Sequence, residues 1–112
     1  MEFRFEQMAG NVTRVIPAGR WDVVGAEQID GQLSVVAASG QPVIIDFSGV
    51  TYLSSAGIRS LIKSAKAIDS RGGKLALASL APNVEAVLSI SGVDMLLTIC
   101  SDLDAALRAV TT

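Results

Sequence analysis

The chain has 112 residues, of which half are hydrophobic and only 18% are charged. A chain of this length predicts one domain, residues 1–112, that buries enough surface to fold without disulfides or metals. The net charge of −2 offers no electrostatic basis for binding nucleic acid or an anionic membrane, so both are excluded as primary partners. No leader sequence and no apolar run near ~18 residues is present, so we expect a cytosolic (cytoplasmic) protein without membrane insertion.

The N-terminal residues predict a β-hairpin. Glu2 to Glu6 alternate between polar and apolar, Ala9-Gly10-Asn11 favours a turn, and Val12 to Ile16 continue as a second strand. Pro17-Ala18-Gly19 is expected to end that strand.

Trp21-Asp22 then leads into a first predicted helix. Its buried face consists of apolar residues at helical spacing, and Gly40-Gln41-Pro42 ends it. The residues of this face are Ala26, Ile29, Leu33 and Val36. Trp21 is the only tryptophan, and either a core position or a contact with a partner protein suits it.

The central stretch runs from Val43 to Ile58. Its first three residues are β-branched, as in a strand covered on both faces, and the chain is expected to leave the sheet at Asp46 and form a loop. Apolar residues then recur at helical spacing with basic residues between them, until Gly72-Gly73 ends the helix. The apolar set is Ile58, Leu61, Ile62, Ala65 and Ile68, and the basic set is Arg59, Lys63 and Lys66.

The C-terminal third predicts two further strand and helix pairs. Lys74 to Ala78 and Leu96 to Cys100 are the strands, and Ser101 with Asp104 resembles a capping box. The two helices are expected to bury Val84, Val87 and Leu88, and then Leu103, Ala106, Leu107 and Val110. The fold class is therefore α/β: a single domain with a mixed, mostly parallel sheet, made of the N-terminal hairpin plus parallel strands, packed against about four helices.

The composition excludes most enzyme chemistry. The chain has no histidine, so a Ser-His-acid hydrolase is excluded, and the single cysteine offers no zinc site of the usual composition. Cys100 is expected at the buried end of a strand. No glycine-rich phosphate-binding loop is present, and Asp46 lacks the acid pair and the lysine that a receiver domain requires. We therefore expect no enzymatic activity, no metal and no cofactor.

Ser54 and Ser55 fall at the start of the central helix, where a serine has two possible roles. The hydroxyl can cap the helix by accepting a hydrogen bond from one of its unpaired N–H groups. An exposed serine at the positive end of a helix can also carry a phosphate without unfolding the domain. Local physics leaves both roles open.

Asp46 to Ile58, followed by a basic amphipathic helix and Arg71 to Leu77, resembles the signature of anti-sigma factor antagonists, the stand-alone bacterial STAS domains. Gly19 to Asp22 resembles the family's Gly-x-apolar-Asp, and the resemblance covers roughly Gly19 to Val110. The family's loop is Asp-Ser-Ser-Gly or Asp-Ser-Thr-Gly, and its phosphorylated serine corresponds to Ser55, with Ser54 as second choice. This chain has Ser54 in place of the family's acid and Ala56 in place of the second hydroxyl residue.

The resemblance implies a STAS-like fold and a binding protein switched by phosphorylation. The unphosphorylated form would bind an anti-sigma factor that is a serine kinase of the ATP-binding type, and so release a sigma factor. The kinase would phosphorylate Ser55, and a serine phosphatase would reset it. Two alternatives stay open: a STAS subunit that docks on the ATPase of an ABC-type (lipid) transport complex without being phosphorylated, and a subunit of a signalling scaffold.

A docking face is expected around Ser55. Asp22 and Asp46 should lie near the start of its helix, where they either orient the hydroxyl or brace the loops. Exposed side chains of the same helix and the adjacent loops should complete the interface. The predicted partner-binding residues are Trp21, Asp22, Asp46, Tyr52, Ser54, Ser55, Gly57, Arg59, Ser60 and Lys63.

Overall fold

The chain contains six strands and four α-helices, and a computed structural model describes all of its residues, 1–112. The strands are β1 (Glu2–Met8), β2 (Val12–Trp21), β3 (Val43–Asp46), β4 (Gly49–Leu53), β5 (Leu75–Ala78) and β6 (Thr98–Cys100). The helices are α1 (Val23–Ala38), α2 (Ser55–Ser70), α3 (Pro82–Ile90) and α4 (Leu103–Thr111), with a 3₁₀ helix at Val93–Leu96.

The strands form one mixed sheet in the order β1-β2-β3-β5-β6, and β4 pairs with β2 beyond the end of β3. Only the β1–β2 hairpin is antiparallel; all other pairs are parallel. The predicted α/β class, with its hairpin, parallel strands and four helices, is confirmed. None of the helices combines the length and apolar character needed to cross a bilayer.

The two faces of the sheet bury cores of unequal size. A main core of 18 buried residues includes inward side chains of α1, α2 and α3, and a smaller core of six lies under α4. Side chains alternate along β3, so Val43 and Ile45 enter the main core whereas Ile44 enters the smaller one. The position of a residue along β3 therefore decides which of the two cores its side chain enters.

Two predictions in the N-terminal half are wrong. Strand β3 ends at Asp46 as predicted, but the segment after it is not all loop, because Gly49–Leu53 forms β4, with Val50 and Leu53 buried. Nor does Pro17 end β2. That strand continues to Trp21, because β4 pairs with the residues from Ala18 onward and extends the ladder past the proline.

Smaller differences occur near the C-terminus. Val87 was expected inside but is 37% exposed, because only Val84 and Leu88 of α3 face the core. The 3₁₀ helix shortens the last strand to Thr98–Cys100, and Cys100 is half-buried rather than buried. The cap of α4 is Asp102 instead of Ser101: its carboxylate accepts a hydrogen bond of 2.8 Å from the N–H of Ala105.

Candidate docking and phosphorylation site

Strand β4 pairs with the end of β2 and so places the start of α2 beside it. The N–H and the hydroxyl of Ser54 both donate to the carbonyl of Trp21, each at 2.9 Å. The same hydroxyl accepts a hydrogen bond of 3.2 Å from the N–H of Gly57, which makes Ser54 the N-cap of α2. Its hydroxyl is therefore used both as donor and as acceptor.

Ser55 is the first residue of α2 and is exposed. Its hydroxyl has no hydrogen-bond partner within the chain, and the N–H groups of Ser55 and Ala56 also have no acceptor there. The two roles that the sequence left open thus fall on different residues. Ser54 caps the helix, and Ser55 presents a free hydroxyl beside unpaired N–H groups.

The first turn of α2 lies directly on Trp21. A Cβ added to Gly57 would come within 2.5 Å of Leu53 Cδ1 and 3.0 Å of Trp21 Cδ1, so only glycine allows this approach. The indole is 0% exposed and stacks on Phe47, with ring centroids 5.7 Å apart. Trp21 and Gly57 were predicted to contact a partner, and that prediction is wrong because both residues are buried. They support the site from beneath.

Asp22 lies close to the site, as predicted, because it follows the residue whose carbonyl binds Ser54. Its carboxylate caps α1 by accepting a hydrogen bond of 2.9 Å from the N–H of Gly25. This backbone hydrogen bond is the main cause that lowers the pKa of Asp22. The carboxylate is therefore ionised at neutral pH and partly exposed at the start of α1.

Asp46 does not belong to the site. It is one residue out of phase with Ile45 on β3, so its side chain lies on the α4 face, opposite to α2. It is 4% exposed, and its carboxylate accepts hydrogen bonds from Arg14 at 2.5 and 3.1 Å and from the N–H of Ser48 at 2.9 Å. Burial alone would raise the pKa of Asp46, but these bonds together hold it below its usual value.

Ser60 is also buried, contrary to the prediction that it is an exposed docking residue. It is 4% exposed, and its hydroxyl donates a hydrogen bond of 2.6 Å to Asp30 on α1. Ser60 therefore joins α1 to α2 instead of facing a partner. This contact fixes the distance between the two helices beside the Ser55 turn.

The exposed part of the predicted face consists of one aromatic and two cationic side chains. Tyr52 is 38% exposed, and the guanidinium of Arg20 lies 4.1 Å from the centre of its ring. Arg59 and Lys63 are both exposed on α2. Together with Ser55, these are the residues of the predicted face that are exposed to a partner.

Two apolar residues of this surface were missed from the sequence. Val23 and Val24 are 58% and 59% exposed in the first turn of α1. Val24 lies on the opposite side of α1 from the buried face that the helical spacing predicts. The same spacing could therefore have predicted that Val24 is exposed. Val23 lines a cleft of about 230 Å³ between α1 and α2, together with Glu27, Asp30, Ala56, Arg59, Ser60 and Lys63.

The sequence profile of the STAS domain matches residues 9–106. The chain belongs to the STAS domain family. A relative from Bordetella bronchiseptica that is named as the anti-sigma factor antagonist BtrV is 33% identical over 88 residues, which are 78% of this chain and 76% of the relative. The resemblance seen in the sequence is thereby confirmed.

Solved structures have the same architecture as this STAS domain. The crystal structure of an anti-sigma factor antagonist from Mycobacterium paratuberculosis is 25% identical, with a TM-score of 0.88 over 99% of this chain and 94% of the other. The Bacillus cell fate determinant SpoIIAA in its phosphorylated form is 19% identical, with a TM-score of 0.74 over 96% of this chain and 99% of the other. The second likeness concerns the fold alone.

Proposed function

We propose that this STAS domain is an anti-sigma factor antagonist. In its unphosphorylated form it binds an anti-sigma factor that is also a serine kinase of the ATP-binding type, and so frees the sigma factor that the kinase holds. The domain itself is a cytoplasmic binding module without catalytic activity. The relatives named as anti-sigma factor antagonists support this assignment, since one of them is 33% identical over three quarters of its own length.

The division of roles between the two serines is the observation that carries the proposal. Ser54 is committed to capping, whereas the Ser55 hydroxyl is exposed and unbonded. A kinase can therefore phosphorylate Ser55 without breaking a hydrogen bond of the domain. SpoIIAA, which has the same fold, has been solved in a phosphorylated form.

The docking face that we propose combines apolar and cationic side chains around Ser55. Tyr52, Val23 and Val24 supply exposed apolar surface, and Arg59 and Lys63 supply charge. An apolar centre with a charged rim is typical of protein interfaces. Asp22 borders this surface through the cap of α1.

Phosphorylation reverses binding in this proposal. A phosphoserine carries about −1.5 to −2 charges near neutral pH. Burying that charge in a tight interface costs desolvation free energy and repels acidic groups of the partner. A serine phosphatase then removes the phosphate and restores binding.

A pull-down from lysate, with mass spectrometry of the partner and of the phosphosite, tests the proposal. We expect a kinase-type anti-sigma factor as partner and phosphate on Ser55. Ser55→Ala should stay bound in the presence of ATP, whereas Ser54→Ala should still be phosphorylated. Recovery of a transport ATPase with an unmodified Ser55 would replace the proposed function by the transport alternative.

Charge reversal tests the docking face. Lys63→Glu should weaken binding without unfolding the domain, because Lys63 is exposed and forms no ion pair within the chain. Arg71→Glu is the matched control, since Arg71 is exposed at the far end of the same helix. Equal affinity of the Lys63 variant and the wild type would move the partner to another surface.

A further inference from the structure

Ser55 is the first residue of an exposed stripe that is otherwise cationic. The next members are Arg59, Lys63 and Lys66, at steps of four, four and three residues, and all are exposed. At about 100° per residue these positions lie within about 80° of the circumference of α2. The helix carries a net charge of +2, although the whole chain carries −2.

The cations of this stripe form no ion pair within the chain. The only salt bridges within 4.0 Å join Arg4 and Arg14 to Glu6 and Asp46, on the strands. The acids near the stripe are Glu27 and Asp30 of α1, across the cleft between the helices, and Asp69 of α2, three residues after Lys66. Asp30 already accepts the hydrogen bond from Ser60. Arg59 is thus an exposed guanidinium without a carboxylate partner, one turn from Ser55.

From this arrangement we infer that Arg59 binds the phosphate of phosphorylated Ser55 and is thereby withdrawn from the docking face. Residues four apart on a helix are neighbours, and a guanidinium fits phosphate oxygens with two parallel hydrogen bonds. Lys63 begins about 12 Å further along the helix axis from Ser55 and is too distant to compete. The unpaired N–H groups of Ser55 and Ala56 complete the phosphate's surroundings.

The inference rests on the proposed phosphorylation of Ser55 and extends its mechanism. Phosphorylation then changes the docking face in two ways, since it adds an anion and also removes a cation that an acidic partner surface would bind. The carboxylate of Asp22, at the cap of α1, repels the phosphate. Arg20, beside Tyr52, is a second cation that could attract it. A direct test must therefore separate Arg59 from Arg20.

The test uses the full chain with phosphoserine installed at position 55 during synthesis, so that no kinase is needed. Phosphorus NMR follows the second pKa of the phosphate in the wild type and in the variants Arg59→Gln, Arg59→Lys, Lys63→Gln and Arg20→Gln. Loss of Arg59 should raise that pKa by about 0.2 to 0.7 units, as expected for an exposed ion pair. Arg59→Lys should keep most of the lowering, and Lys63→Gln and Arg20→Gln should leave the pKa unchanged.

A phosphate pKa that does not respond to Arg59→Gln overturns the inference, even if a partner kinase has been found. A pKa that responds to Arg20→Gln instead overturns it as well, because Arg20 is then the residue that binds the phosphate. A shift that depends on Arg59 supports the pairing, even if the lysate yields no kinase and the proposed function fails. The two ideas are therefore tested separately.

Discussion

The two adjacent serines at the start of α2 should differ in their effect on stability. Ser54→Ala removes a half-buried cap that bonds both Gly57 and Trp21, so it should lower the free energy of unfolding by about 1–2 kcal/mol. Ser55→Ala removes a free hydroxyl and should change it by less than about 0.5 kcal/mol. Thermal unfolding followed by circular dichroism measures both. Equal losses would mean that Ser55 shares the capping role.

The sequence placed serines at the helix start but did not say which one caps it. Cap positions shift by one residue with small changes in the incoming chain, and here β4 sets that position by pairing with β2. The misplacement of Asp46 has a similar origin. A shift of one residue on a strand moves a side chain to the other face, and β3 is buried on both faces, so its apolar residues did not show which face Asp46 would take.

Asp46 should contribute to stability in a pH-dependent way. Its pKa is lower in the folded chain than in the unfolded chain, so its contribution is complete above the unfolded value of about 3.9 and is lost as the pH falls through the folded value. At pH 7, Asp46→Asn should cost about 1.5–3 kcal/mol, because charge-assisted hydrogen bonds from Arg14 are lost.

Urea unfolding between pH 7 and pH 2.5 measures this effect. The difference between wild type and Asp46→Asn should stay constant down to about pH 5 and shrink below about pH 4. Asp69→Asn is the control, since Asp69 is exposed and forms no ion pair. A difference that is independent of pH would assign the stabilisation to packing instead of charge.

At the scale of elements, the α-helices and most strands were predictable, and only strand β4 was missed. The helices α1 and α2 each have 16 residues, enough for several turns of apolar periodicity. Strand β4 has only five residues, two of them buried; it begins at Gly49 and directly precedes the capping serine. Its strand conformation depends on pairing with β2, which no local pattern reveals.

The contact between α2 and the sheet should depend on Gly57. A methyl group there would meet Leu53 and Trp21 at 2.5 to 3.0 Å, so Gly57→Ala should destabilise the domain by about 1–3 kcal/mol through overpacking. Gly31→Ala is a matched control, because Gly31 is also helical but has no atom within 4 Å of an added Cβ. It should stabilise the domain by about 0.5–1 kcal/mol through helix propensity. Losses of similar size in both variants would contradict this packing.

At the scale of the whole molecule, α4 should be the least stably attached helix. It covers a core of six buried residues, of which three are alanines, whereas the other helices share the main core of 18. Less apolar area is buried under it, so its local opening should cost less free energy than global unfolding. Native-state hydrogen exchange should show α4 amides exchanging before those of β3. Exchange of both only on global unfolding would refute this order.

The fold class could be predicted as a whole because several patterns agreed. A hairpin signal, a β-branched central run and alternating helical segments permit few arrangements once right-handed crossovers are required. The position of single side chains relative to the docking face could not be predicted in the same way. Trp21 and Ser60 are polar or amphipathic residues near the site, and only the packing of α1, α2 and the sheet shows that both are buried.

Trp21 also gives the molecule its own optical signal. Its indole is out of contact with water, and the first turn of α2 lies on it through Gly57. Fluorescence emission should therefore be that of an apolar environment, and should shift to the red only when this turn lifts away. A phosphate bound at the surface leaves the indole covered, so phosphorylation of Ser55 should not change the emission maximum. A red shift would show that modification reshapes the domain, and no added label is needed to see it.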